Sequence, residues 1–179
     1  IRLLEYFAEN NQTETQKLEE QASNVSKGIR DIEHILVNTN TDPYSADDLE
    51  EMFSNFQKKI DFEKGGTKSA MKFPMPSVWE YLLQYHYFSG NKDVLKAVEI
   101  TLNNIAKGGI YDHVGGGFSR YATDPGWHVP HFEKMLYDNA QLVSLYSHAF
   151  QVTKDQLYKK VAGDSLDFRI RELTSPEGG

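Results

Sequence analysis

The chain contains no cysteine among its 179 residues. That excludes a disulfide, a thiolate nucleophile and a Cys-ligated zinc, and it suits a reducing compartment, so a cytoplasmic location is expected. Positive charge is also scarce. A formal net charge of −7 argues against a nucleic-acid backbone or an anionic membrane as partner, because both require clustered Lys and Arg. There is no apolar run long enough to cross a bilayer and no signal-peptide pattern. Alternating strand patterns are missing too, apart from a short hairpin expected around Phe118 to Tyr121 and Trp127 to Val129.

What remains is helical. Hydrophobic residues at 39% and charged residues at 25% are ordinary for a chain able to bury a core. Leu18, Ala22, Val25, Ile29, Ile32 and Leu36 alternate in steps of four and three, the seam of one helix, with Thr13 and Gln16 as its capping box. Asn38 to Tyr44 is a polar turn. Ser45 with Asp48 then caps a helix carrying Leu49, Met52, Phe53, Phe56 and Ile60, which Gly65-Gly66 are expected to end. Pro76 suits the first turn of the next helix and Gly90 its end. A further helix spans Lys92 to Lys107 and stops at Gly108. From Glu133 to Val152 apolar residues fall almost all round, which predicts a helix buried on every side. Thr153 and Gln156 are expected to cap the last helix. The fold class is all-α, built from consecutive antiparallel helix hairpins, and the alternation of half-buried and buried helices suggests two concentric layers.

Gly108 to Asn139 is the segment that core-building alone does not require. It holds three of the six histidines, a run of glycines, Arg120, Trp127 and several carboxylates. Long connections of this composition line pockets, since chemistry is placed on loops held by a rigid scaffold. Asp112, Glu133 and Asp138 are candidates for the two carboxyl groups that glycoside hydrolysis needs, one protonated and one ionised. His113 and His131 are candidates for the paired bases of an epimerisation. Arg120, Tyr121, Trp127, His128, Phe132 and Tyr137 supply aromatic faces and polar groups to bind a sugar. No His-Glu-x-x-His pattern exists, and Pro130 keeps His128 and His131 off one helical face, so neither a metal nor another cofactor is expected. His34, His86 and His148 read as surface or packing residues.

Three runs carry a resemblance to a known family: Ala70-Met71-Lys72-Phe73-Pro74, then Gly108 through Phe118 with its Tyr111-Asp112-His113-Val114-Gly115-Gly116-Gly117 centre, then Trp127-His128-Val129-Pro130-His131-Phe132-Glu133-Lys134-Met135-Leu136-Tyr137-Asp138-Asn139. In order and spacing they resemble the YyaL-like, or spermatogenesis-associated protein 20, family of thioredoxin-domain proteins. Where that family usually reads Gly-Gly-Phe-Gly, this chain has Gly65-Gly66-Thr67-Lys68. The resemblance implies part of an (α/α)6 toroid similar to six-hairpin glycosidases and N-acylglucosamine 2-epimerases. Residues 1–44 would be linker or packing helices and residues 45–179 the N-terminal part of the toroid. A thioredoxin-like domain would precede residue 1 and serve as an attached partner, and further hairpins would follow residue 179. In a toroid the site candidates would converge on a central pocket. That leaves two functions open, a carbohydrate-active enzyme with a small-molecule sugar substrate and a non-catalytic scaffold that binds a sugar or a protein. Exposed helix faces on an incomplete toroid also predict self-association, or a missing segment that folds on them.

Overall fold

The computed structural model describes residues 15–33 and 45–178, together with Arg2, Leu4, Glu5, Tyr6 and Ala8. The Thr13 cap, His34, Leu36, the Asn38 to Tyr44 turn and Gly179 lie outside the described residues. The chain divides into two compact units, Ile1–Pro43 and Tyr44–Gly179. The first contains α1 (Thr15–Glu33), whose apolar stripe is present but carries exposed Val25 and Ile29.

The second unit holds α2 (Ala46–Gln57), α3 (Pro76–Ser89), α4 (Lys92–Lys107), β1 (Tyr121–Ala122), β2 (Pro130–His131), α5 (Leu136–Thr153) and α6 (Gln156–Glu172). Local chemistry sets most of these boundaries. The Ser45 hydroxyl accepts the Asp48 N–H at 3.2 Å while Asp48 accepts the Ser45 N–H at 2.6 Å, the reciprocal box expected at the start of α2. Pro76 occupies the first turn of α3, and Gly90, at φ 67°, ends it with an N–H to the His86 carbonyl. Asn91 caps α4 through the N–H groups of Asp93 and Val94.

Three expectations fail here. Helix α2 ends at Gln57, and Gly65-Gly66 sit beyond it in a turn whose φ values of 71° and 70° only glycine adopts freely. Close approaches explain the pair: a Cβ on Gly65 would lie 2.6 Å from Thr101 Cα on α4, and one on Gly66 2.7 Å from the Trp127 ring. Thr153 does not cap α6. Its hydroxyl bonds back to Ala149, and Asp155 accepts the Leu157 N–H instead. Helix α5 is not buried all round, because Tyr137, Gln141, Ser144 and His148 leave one side of it open.

Helix α3 packs against both α4 and α5, and α5 packs in turn against α6. Two helix hairpins therefore lie side by side, with α3 and α5 forming the shared layer. These two run in the same direction: Pro76 meets Ala140 at one end of their groove, and Glu80 meets His148 farther along. Trp79, Leu82, Leu102, Ile105, Leu142 and Tyr158 are among the side chains fully buried between the helices. Each large apolar side chain of this kind contributes about 1.5–3 kcal/mol. Tyr146 belongs to the same core without an unmet hydroxyl, since it donates to the Leu102 carbonyl at 2.8 Å.

The N-termini of α3 and α5 share the end that carries the long α4–α5 connection. Lys72 exchanges backbone hydrogen bonds with Ala122, and Tyr121 pairs with His131 in the antiparallel β1–β2 ribbon. The expected hairpin thus exists a few residues C-terminal to its anticipated place. It brings the segment before α3 alongside the segment before α5.

Candidate functional site

The first half of the long connection is held by its own backbone. Gly108 and Gly109 run directly against Trp127 and His128, where a Cβ on Gly109 would stand 2.0 Å from the His128 carbonyl oxygen. Trp127 is fully buried at φ 65°, a strained value for a bulky residue that the surroundings must enforce. Its indole N–H donates to the Lys64 carbonyl at 2.7 Å, and its own carbonyl accepts the Gly109 N–H at 2.7 Å. Asp124 closes the neighbouring turn by accepting N–H groups from Gly126, His128 and Val129. The indole face expected to stack on a ligand is therefore a packing surface. His128 is exposed, and its backbone N–H belongs to the Asp124 turn.

Asp112 and His113 have comparable duties. Tyr111 and Phe118 bridge across a glycine turn in which Gly116 and Gly117 have φ values of 77° and 79°. A Cβ on Gly116 would lie 2.2 Å from the Asp164 carbonyl oxygen, so this turn is pressed against α6. The Asp112 carboxylate accepts N–H groups from Gly115 at 2.8 Å and Val114 at 3.0 Å, and the Lys134 ammonium at 2.7 Å. The Gly115 N–H, then Lys134, then the Val114 N–H hold this carboxyl far below the usual carboxylate range, against a smaller opposing effect of burial. A group so firmly ionised is a poor proton donor. Lys134 is itself tied to the Gly116 carbonyl and lies 4.3 Å from the centre of the Phe168 ring. His113 donates from Nε2 to the Gly108 carbonyl at 3.1 Å. Asn139, fully buried, accepts the Phe118 N–H and donates to the Phe118 and Met135 carbonyls.

The second half of the connection presents its side chains outward. Tyr121 lies between two rings: Phe73 stacks on it at 4.7 Å between centroids and His131 at 4.8 Å, each within 22° of parallel. Antiparallel pairing of β1 with β2 sets Tyr121 opposite His131, and the Lys72–Ala122 bridge sets Phe73 beside them. The outer members remain accessible, with Phe73 45% and the His131 side chain 43% exposed. Arg120 reaches Glu133 at 3.3 Å. The same carboxylate oxygen is 3.6 Å from His131 Nδ1, near enough for charge but too long for a hydrogen bond, and Nδ1 is a buried atom without a partner. Burial raises the Asp138 carboxyl above its ordinary range, opposed by the positive charge of Arg120. Phe132 and Tyr137 are exposed.

The candidates between residues 112 and 138 therefore do not share one hollow. Asp112, His113 and Trp127 build the loop, whereas Arg120, Tyr121, His131, Glu133 and Asp138 are disposed about the hairpin. Phe73 is a member that sequence reasoning did not name, although it lies in a recognised run and is aromatic. Neighbouring Lys72 is 1% exposed, and its ammonium donates to Asp61 at 2.8 Å and to the Gly65 and Thr67 carbonyls at 2.7 Å. Burial opposes ionisation of Asp61, yet the Lys64 N–H, the Lys72 ammonium and the Glu63 N–H together hold its carboxyl below the ordinary value. This buried ion anchors the segment that carries Phe73.

A cavity of about 440 Å³ opens between α3 and α5, lined by Pro76, Ser77, Glu80, Ala140, Gln141, Ser144 and His148. No group of three or more His, Cys, Asp or Glu able to hold a metal occurs among the described residues, nor is any helix there long and apolar enough to cross a membrane.

No family model matches the chain. Sequence relatives are informative: human spermatogenesis-associated protein 20 is 38% identical across the whole chain, and the mouse protein of that name is 43% identical over 71% of it. The chain is homologous to part of spermatogenesis-associated protein 20. An uncharacterised protein of Caenorhabditis elegans is 34% identical over 75% of the chain. The chain spans only 17% to 23% of the length of these three relatives. Among solved structures, the chain is similar to a sugar epimerase from a ruminal bacterium, with a TM-score of 0.64 at 16% identity over 71% of this chain and 36% of that one. It is also similar to cellobiose 2-epimerase from Bacillus thermoamylovorans, with a TM-score of 0.56 at 17% identity over 73% of this chain and 39% of that one. At such identities the likeness establishes the fold, part of an (α/α)6 toroid, with α3 and α5 in its inner layer and α4 and α6 outside.

Proposed function

We propose that the hairpin face binds a sugar and carries out acid/base chemistry of the epimerase type, with His131 as the proton-transferring group. The observation that carries this is the Phe73–Tyr121–His131 ring stack, rimmed by the Arg120–Glu133 pair. Flat rings suit the C–H face of a pyranose, and the paired charges suit its hydroxyls. His131 combines an accessible ring with a carboxylate 3.6 Å from Nδ1, a charge that stabilises the imidazolium formed when the ring takes a proton. The epimerase-like fold favours this reading over hydrolysis, as does the commitment of Asp112 to the glycine turn, which leaves only Glu133 and Asp138 as a carboxyl pair. We place the protein in the cytoplasm, in keeping with a chain that has no cysteine to oxidise.

Incubation with cellobiose or N-acetylglucosamine in D2O tests the chemistry. Deuterium is expected at the carbon next to the carbonyl, and His131→Ala should slow its incorporation by about 100-fold or more. Absence of both binding and exchange in the wild-type chain would overturn the proposal. Binding without exchange would instead support a scaffold that presents a sugar or protein beside a thioredoxin-like domain. The capture of Asp112 and His113 by backbone groups favours that second function. Self-association is also expected, since Tyr87 and Phe88 at the end of α3 are 78% and 81% exposed. A monomer at every concentration on size-exclusion chromatography would remove that expectation.

A further inference from the structure

The groove between α3 and α5 contains a polar pair that the hairpin face does not use. Glu80 lies just over one turn into α3, and His148 lies about three turns into α5. His148 Nδ1 is 2.7 Å from Glu80 Oε1. An ionised carboxylate only accepts, so the imidazole donates from Nδ1, and the neutral ring then keeps its lone pair on Nε2. Nε2 has no partner among the described residues, and the ring is half exposed. The other Glu80 oxygen, Oε2, is shielded from solvent and has no hydrogen-bond partner. The imidazole is therefore the one hydrogen-bond donor to this carboxylate among the described residues. An exposed surface pair would have both oxygens hydrated. Ser77, Gln141 and Ser144 are the other polar side chains along the groove, but most of the surface that they, Pro76 and Ala140 present to it is carbon. A concave, largely apolar groove with a few convergent polar groups is what a small ligand requires.

We infer that the α3–α5 groove is a second sugar subsite, in which Glu80 orients His148 so that its Nε2 accepts a hydrogen bond from a ligand hydroxyl. The sugar class rests on the function proposed above; the oriented imidazole rests on the groove alone. Glu80 is a positioning residue and His148 the ligand-touching one. Pro76 and Ala140 place one end of the groove near the N-termini of α3 and α5.

The test is NMR of the chain with 15N-labelled histidine. Long-range 1H–15N spectra are expected to show His148 protonated on Nδ1, and Glu80→Gln should redistribute its tautomers without moving His131. Cellobiose should then shift the His148 Nε2 resonance in a saturable manner. His148→Ala should weaken cellobiose binding by about tenfold, the scale of one lost hydrogen bond, with Glu80→Gln lying between it and wild type. A wild-type His148 protonated on Nε2, or one that cellobiose leaves unmoved, would overturn the inference. If cellobiose shifts His131 alone, the subsite falls and the hairpin proposal stands. A shift of His148 alone reverses that result, and no shift at either removes both.

Discussion

The glycine turn of residues 108–118 and the hairpin of residues 120–133 belong to one connection and draw on the same residue types, yet they spend them differently. In the turn, Asp112 meets two backbone N–H groups and an ammonium, and His113 meets a carbonyl. In the hairpin, pairing of β1 with β2 and the single Asp124 carboxylate satisfy the backbone, so Tyr121, His131 and Glu133 are left to face outward. The difference teaches that an ionisable loop residue becomes available for ligand chemistry only where the backbone around it is already paired. Irregular backbone recruits nearby polar side chains, because buried amides and carbonyls must find partners.

The most damaging way to break this contrast is Gly116→Ala. The residue would have to hold φ 77° with a Cβ 2.2 Å from the Asp164 carbonyl oxygen, so about 3 kcal/mol or more of stability should be lost in urea denaturation. Trp127→Phe should lose about 2 kcal/mol, through the vacated volume and the Lys64 carbonyl left without its indole donor. Sugar binding by the folded fraction should not change, and a loss of binding there would return Trp127 to the ligand face. Asp112→Asn sharpens the comparison through pH. The folded carboxyl is held below its ordinary value of about 4, so its contribution is complete above that pH and disappears as pH falls through the lower folded value. The stability gap between wild type and variant in urea titrations should therefore narrow as pH drops below about 4. A gap independent of pH would contradict the Lys134 pairing. His131→Ala should change stability least, within about 0.5 kcal/mol, while weakening sugar binding. A large fall in its melting temperature would make His131 a structural residue like Asp112.

Much of the helical frame was legible. Ser45 with Asp48, Pro76, Gly90 and Gly108 mark real boundaries, because capping and left-handed turns depend on residues within one helical turn of each other. Gly65-Gly66 were misleading for the opposite reason: the glycines answer to Thr101 on another helix and to the Trp127 ring, contacts that spacing does not reveal. The open side of α5 was likewise hidden, since an apolar composition states what a helix can bury and not how many neighbours it has. At the candidate site, composition singled out one stretch of chain but could not sort its members. Trp127 is claimed by Lys64, and the glycine turn is pressed against Asp164 and Phe168, partners tens of residues away. Phe73 joins the ring stack through a bridge to Ala122, also far along the chain.

The order of residues was by itself enough to determine an all-α chain with a chemically rich loop before α5, and the absence of thiol chemistry. Helical periodicity, local capping and composition act over a few residues and survive being read in one dimension. Only the tertiary structure decided which polar groups that loop consumes and which it offers, and that Glu80 would meet His148 across two helices. Those outcomes depend on which backbone donors and acceptors are left unpaired once distant elements pack, a quantity that has no value until the chain has folded.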